Sequence, residues 1–244
     1  MQDFSSIARL GLLRPGAVAL PQVAALPHLY EMFPAERRGA AGMRASRAAT
    51  SKTKRLIDVV LSLVAITFFL PLFAMVAIAI KLDSRGSVIF KQRRSGLYGE
   101  QFQIFKFRTM TVCEDGAEIV HARKQDSRVT KVGAFLRSTS IDELPQLFNV
   151  LKGDMSLIGP RPHALAHDRH YGGLIHHYRW RYRVKPGLTG LAQIRGLRGE
   201  VHNPDWMRQR ISADCEYVEN WSLMLDLAII GKTIPLLFND STAY

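Results

Sequence analysis

The sequence predicts an α+β domain held at a membrane by a Pro-broken N-terminal apolar helix, with further amphipathic helices at the interface. Three observations predict it. Residues 59–80 run without a charge and contain Pro71. Residues 86–110 mix β-branched, aromatic and basic side chains around Gly96 and Gly99, the pattern of short strands joined by a turn. Leu144, Leu147, Phe148 and Leu151 then recur at i, i+3, i+4 and i+7, one apolar stripe of a helix.

The chain begins with a segment unlike the rest. Residues 1–51 are Ala-rich, dotted with Pro15, Pro21, Pro27 and Pro34 and then Arg37, Arg38, Arg44 and Arg47, with no sustained periodicity. A disordered basic tail is expected over 1–51, a membrane helix over 52–85 and a globular domain over 86–244. A secretory signal peptide is not expected, because the charged start, apolar run and small-residue cleavage site do not follow in that order. In a chain of 244 residues there is room for one ordinary core.

The membrane segment is long enough to cross. Its 22 uncharged residues make about 33 Å of straight helix, against about 30 Å of hydrocarbon. Lys52, Lys54 and Arg55 precede it, however, and Lys81, Arg85, Lys91, Arg93 and Arg94 follow it, whereas a single span carries its basic excess on one side. Pro71 deletes a helical hydrogen bond near the middle. A helix that enters, breaks at Pro71 and returns to the cytoplasmic face satisfies both observations; a Pro-kinked span is the alternative.

With 33 Lys and Arg against 21 Asp and Glu, the net charge is +12. Such a chain suits polyanions: nucleic acid, an anionic lipid surface or phosphorylated substrates. Charge alone does not choose. Cys113 and Cys215 fit no metal or redox spacing, which points to a reducing compartment.

The stretch STSIDELPQLFNVLKG, residues 138–153, carries two adjacent carboxylates, Asp142 and Glu143, at a helix start. Ser140 and Glu143 have the spacing of a capping box, and Asp142 would favour the positive end of the helix. Pro145 strains that reading, because with Ser140 as N-cap it falls at the fifth helical residue. The helix is then expected to begin near Pro145 with a distorted turn before it, leaving free N–H groups beside the carboxylate pair, as in an anion site.

Two turn-rich loops follow. In SLIGPRPH, Arg161 stands between Pro160 and Pro162, a rigid setting for bidentate phosphate contact. RVKPGLTGLAQIRG brings Lys185, Pro186, Gly187 and Gly190 into a second loop of the same kind. His163 and His167, at i and i+4 in a His-rich stretch, admit a zinc pair, but a solvated or nucleotide-side surface is the preferred reading. Residues 217–238 are apolar but carry Asp226, Lys232 and Pro235, and read equally as an interfacial or a core helix.

Taken together, KRLIDVVLSLVAITFFLPL, KLDSRGSVIFKQRRSGLYGEQFQIFKFRTM, DSRVTKVGAFLRSTSIDELPQLFNVLKGDMSLIGPRP, YRVKPGLTGLAQIRG and YVENWSLMLDLAIIGKTI resemble, in order, the bacterial sugar transferase family, the monotopic polyprenyl-phosphate phosphoglycosyl transferases. The resemblance covers about residues 52–234 and is closest to the short form that starts exopolysaccharide repeat units. It implies transfer of a sugar-1-phosphate from a nucleotide diphosphate sugar to polyprenyl phosphate, with Mg2+, at the cytoplasmic face of the bacterial inner membrane.

By the same resemblance, Asp142 is the nucleophile that becomes a phosphosugar-aspartate. Glu143 supports the site and, with Asp142, the metal. Lys106, Arg137 and Arg161 are placed around the phosphates, with Gln193 as a further substrate contact. Lys54 and Arg55 would meet lipid headgroups, and Pro71 would break the re-entrant helix. One departure is Leu70, where family members often have a small residue before the proline. The implied partners are polyprenyl phosphate, the sugar donor and inner-membrane lipid, with no nucleic acid; a homo-oligomer is left open. The alternative from another class is a non-catalytic basic membrane adaptor for glycan assembly or nucleic acid.

Overall fold

The computed structural model describes residues 45–111, 126–199 and 204–239, all within one compact unit of the chain. It is α+β. The antiparallel hairpin expected around Gly96 and Gly99 is formed by β1 (Ile89–Ser95) and β2 (Gln101–Phe107), in register from Ile89 opposite Phe107 to Ser95 opposite Gln101. The turn closes through the Gly96 N–H to Glu100 carbonyl bond, and Gly99 takes a φ of 81° that a side chain would resist.

A second, parallel pair joins β3 (Ser156–Ile158) to β4 (Gly187–Thr189). It lays the two turn-rich loops side by side. Glycine is required here by close approach of backbone: a Cβ on Gly187 would stand 2.1 Å from the Gly159 nitrogen, and one on Gly190 2.1 Å from the Gly159 carbonyl oxygen.

The chain enters the described region through α1 (Arg47–Thr50), capped by Ser46, whose backbone N–H donates to the Arg183 carbonyl. Ala48 is buried with Ile158, Val184, Leu191, Tyr217, Val218 and Ile229. The ordered domain therefore begins before residue 52: an alanine met by apolar partners from distant segments packs, whatever its local periodicity. Residues 1–44, and with them most of the expected tail, lie outside the described residues, as does Cys113; Cys215 is buried.

Helix α2 (Lys52–Asp83) contains Pro71 and is, among the described residues, the one helix long and apolar enough to cross a membrane. Ser51 caps it, accepting the Lys54 N–H. Leu56, Val64, Phe68 (75 % exposed), Leu70 and Met75 are open on its surface. Against water such an apolar area would be unfavourable; against lipid it is matched.

Both ends of α2 are fastened to the folded domain. At its start the Lys54 ammonium pairs with Asp226 at 2.7 Å, Arg55 donates to the carbonyls of Val150 and Leu151, and the Asp58 carboxylate accepts the Leu157 N–H. At its end Val76 and Ile80 pack with Phe107 and Leu136, and buried Arg108 donates to the Ser84 and Arg85 carbonyls, satisfying a helix terminus. Lys54, expected among lipid headgroups, is instead buried, its side chain 7 % exposed, because Asp226 offers it a desolvated partner. Arg55 is likewise turned inward, onto the negative C-terminal end of α4 (Gln146–Lys152).

The remaining helices are α3 (Lys131–Ser138), α5 (Leu165–Leu174), α6 (Leu191–Ile194), α7 (Pro204–Asn220) and α8 (Leu223–Asn239). On α8 the C-terminal apolar stretch presents one buried and one exposed face. Ile229 and Asp226 are buried in the domain, while Met224, Leu227 and Ile234 are exposed.

Candidate active site

The carboxylate pair sits in a backbone distortion between α3 and α4. Ser140 takes a left-handed conformation, φ 57° and ψ 14°, and Ile141–Glu143 forms a single 3-10 turn. Pro145 then occupies the N-cap of α4, where its fixed φ suits a helix start and its missing N–H costs nothing. The displaced helix start was expected from Pro145. The capping box is not formed: the Ser140 hydroxyl makes no cap bond and accepts instead from Arg198 at 2.6 Å, and the Glu143 carboxylate is engaged elsewhere.

Glu143 is fully committed. Arg161, held in the Pro-Arg-Pro loop after β3, donates from both terminal nitrogens to the two carboxylate oxygens, and Lys106 on β2 donates to Oε1 at 2.8 Å. Burial opposes the charge, but Arg161 and Lys106 hold this carboxyl well below the usual carboxylate range. Its neighbour is the reverse. Asp142 is 9 % exposed, accepts no hydrogen bond among the described residues, and has Lys106 Nζ as its nearest cation at 3.9 Å. Burial pushes its pKa up to about 6, with Glu143 adding to the rise and Lys106, Arg161 and Arg137 opposing it. One carboxylate is thus tied into a cationic clamp, and burial works against the charge of the one beside it.

Of the expected site residues, Lys106, Arg161, Asp142 and Glu143 come together. Arg137, in the last turn of α3, acts on Asp142 through its charge without a bond to it. Gln193 on α6 is buried beside Gly190, with neither its amide oxygen nor its nitrogen hydrogen-bonded among the described residues, and makes no bond to the carboxylate pair.

Behind Arg161 lies a network that sequence reasoning missed. Buried Arg181 donates to the Arg161 carbonyl, pairs with Asp214 on α7 at 3.1 Å, and also meets His163 and Tyr178. Tyr178 in turn donates to Asp168 at 2.7 Å. His163 belongs to this network rather than to a solvated surface: burial first, then Arg181, keeps its ring neutral. Among the described residues no group of three His, Cys, Asp or Glu side chains is placed to hold a metal ion, and the His163 Nδ1 is engaged by Tyr178 and Arg181. A signal for the network was available in Asp214, an acid on the buried stripe of α7 with Met207, Ile211 and Val218.

A profile described as bacterial sugar transferase matches residues 49–240, nearly everything that the structure describes. The chain belongs to this family. It is 52% identical over 198 residues to the UDP-glucose:undecaprenyl-phosphate glucose-1-phosphate transferase of Caulobacter vibrioides, covering 81% of this chain and 74% of that one. A protein of the same name from Klebsiella pneumoniae is 49% identical over 78% of this chain, which spans 41% of that longer relative. The exopolysaccharide production protein PSS of Rhizobium leguminosarum is 45% identical, over 74% of this chain and 92% of that one. The family match begins within α1 and includes α2, the hairpin, both loops and the carboxylate pair, so the membrane helix belongs to the transferase unit. The reading as a non-catalytic adaptor gives way.

Proposed function

We propose that this chain transfers a sugar-1-phosphate from a nucleotide diphosphate sugar to undecaprenyl phosphate, in two displacements through an aspartyl phosphosugar on Asp142, and so begins assembly of an exopolysaccharide repeat unit. The observation that carries the reading is the contrast within the pair: Glu143 is spent on Arg161 and Lys106, whereas Asp142 accepts no hydrogen bond among the described residues. In the first step an Asp142 oxygen attacks the phosphorus that bears the sugar. The bond from that phosphorus to the bridging oxygen breaks, and nucleoside monophosphate leaves with the electron pair. In the second, a phosphate oxygen of the lipid attacks the same phosphorus, forming the lipid diphosphate sugar and returning the carboxylate.

Lys106 and Arg161 stand where negative charge spreads over the phosphoryl oxygens in both steps. Arg137 adds a longer-range positive field. Glu143 positions that pair of cations; without it, two half-buried positive charges would repel each other. Mg2+ takes one or two carboxylates together with substrate phosphates, and Asp142 fits as its ligand, whereas Glu143 would have to release Arg161 or Lys106. When bound, the ion would neutralise diphosphate charge.

Support for a re-entrant α2 comes from its fastenings. Lys54, Arg55 and Asp58 at one end, and Val76, Ile80 and Ser84 at the other, all meet the same folded domain. A straight crossing of about 30 Å of hydrocarbon would part those ends to opposite faces. The reading places the domain on the cytoplasmic face of the inner membrane, where nucleotide sugars are available.

The test uses purified protein and UDP-glucose, the donor that the names of the Caulobacter and Klebsiella relatives suggest. Turnover to UMP should require undecaprenyl phosphate, while donor alone should give UMP in an amount comparable to the enzyme, leaving an acyl phosphate that hydroxylamine cleaves. UMP formed only when both substrates are present, with no adduct, would mean direct transfer.

A further inference from the structure

Asp142 is aimed by its neighbours. Its own carboxylate accepts no hydrogen bond among the described residues, so its direction is set by the backbone that carries it and by what holds the residues on either side. On one side Glu143 is fixed by Arg161 and Lys106. On the other stands Ser140, whose hydroxyl accepts from the Arg198 guanidinium at 2.6 Å. The Ser138 and Thr139 hydroxyls turn back to the Phe135 carbonyl of α3, which leaves Ser140 as the hydroxyl of this run that reaches a distant segment.

We propose that Arg198 is a positioning residue of the transfer reaction, holding the left-handed turn at Ser140 so that the Asp142 carboxylate faces the phosphorus. The inference rests on the reading of Asp142 as the attacking group. Three observations carry it. The first is the backbone: Ser140 has φ 57° and ψ 14°, a region that a residue with a side chain keeps only where its surroundings impose it. The second is leverage. The Ser140 carbonyl accepts the Glu143 N–H at 3.2 Å, a bond that bridges Asp142, so a rotation at Ser140 turns the Asp142 backbone with it.

The third observation is the firmness of the tether's other end. Arg198 leaves a loop folded back on α6, with the Leu197 N–H on the Ala192 carbonyl and the Gly196 N–H on the Gln193 carbonyl, both at 3.0 Å. Gly196 and Gly199 supply the left-handed corners of this loop, and the Gly199 carbonyl accepts from buried Arg210 on α7 at 3.1 Å. The guanidinium is thus carried by two helices of the folded domain. An attacking oxygen must approach opposite the leaving one, and a misplacement of about 1 Å costs about a hundredfold in rate.

The full chain in detergent, with UDP-glucose and undecaprenyl phosphate, provides the test. Ser140→Ala and Arg198→Met should each lower kcat about tenfold to a hundredfold, with donor KM changed less than about threefold. The double variant should be no slower than either single one, since both remove the same bond. Arg198→Lys keeps a donor and should recover part of the loss. Ser140→Gly supplies a readout that a merely structural role would not move: glycine takes the left-handed turn freely, so the unfolding midpoint should hold or rise while kcat falls as in Ser140→Ala. A kcat within about twofold of wild type in both single variants would overturn the proposal. So would losses that multiply in the double variant, or a rise in donor KM that survives in the Ser140→Ala background, because Arg198 would then act on substrate rather than on the turn. Asp142→Asn keeps two failures apart. If it stays active, or if no hydroxylamine-cleavable adduct forms on the wild-type chain, the Asp142 reading falls and the proposal with it. If Asp142→Asn is inactive and the adduct forms while Ser140→Ala and Arg198→Met match the wild type, the proposal alone falls.

Discussion

Replacing Asp142 by Asn should abolish turnover and, at neutral pH, stabilise the protein. The two effects share one cause. Burial raises the Asp142 pKa from 3.8 to about 6. That shift of about two units, at about 1.4 kcal/mol each, makes the ionised side chain a liability of about 3 kcal/mol in the folded state. The sign follows from the direction: the favourable contribution of the protonated acid is full below about pH 3.8 and is lost as pH rises to about 6. An amide never ionises and does not incur this loss. Lys106 keeps Glu143 at 2.8 Å in the variant, so the half-buried ammonium is not orphaned. Differential scanning fluorimetry in detergent at pH 7.5 should show a midpoint several degrees higher, and the gain should shrink toward pH 4. In parallel, UMP release should drop by several orders of magnitude and the donor-only burst should vanish, since an amide cannot act as the nucleophile. A variant that keeps most of its turnover, or that is destabilised at pH 7.5, would refute the assignment of Asp142 as the free, strained carboxylate of the pair.

Further outcomes follow from other contacts. The wild-type rate should climb as pH rises through about 6, and in Glu143→Gln the acid limb should move to lower pH, because Glu143 raises the Asp142 pKa; a pH–rate profile of the burst checks both. Arg161→Lys keeps the charge but not the two-pronged bond to Glu143, and should cost about 10²–10³ in kcat with less change in KM. Lys54→Met strands buried Asp226 and should destabilise by about 3 kcal/mol, with partial recovery when Asp226→Asn is added, as read by thermal unfolding. Deleting residues 2–44 should leave catalysis in detergent nearly intact, whereas deleting 2–50 also removes Ser46 and buried Ala48 and should lower the midpoint. On the re-entrant reading of α2, an impermeant thiol reagent should label neither of two single cysteines, at Ser51 and at Ser87, in a background without Cys113 and Cys215 in intact cells; Pro71→Leu, by adding the ladder hydrogen bond that proline lacks, should favour a span.

Local pattern determined a good part of this protein. The uncharged run gave α2, the glycine-punctuated aromatic stretch gave the hairpin, and Pro145 moved the helix start away from Ser140, because each depends on a few neighbouring residues and the fixed geometry of helix, strand and proline. The motif strings singled out Asp142, Glu143 and Arg161 before any fold was known. What tertiary structure decided were the pairings between distant segments. Two adjacent carboxylates look alike in sequence; only the approach of Lys106 from β2 and Arg161 from the loop after β3 binds Glu143 and leaves Asp142 free. Lys54 reads as a headgroup contact until Asp226, 172 residues away, takes it inside. His163 reads as a surface or metal residue until Arg181 and Tyr178 enclose it. In each case the charge of a side chain is local information, whereas its partner and its dielectric surroundings are set by packing, and those surroundings separate an acid held by two cations from its neighbour that accepts no hydrogen bond among the described residues.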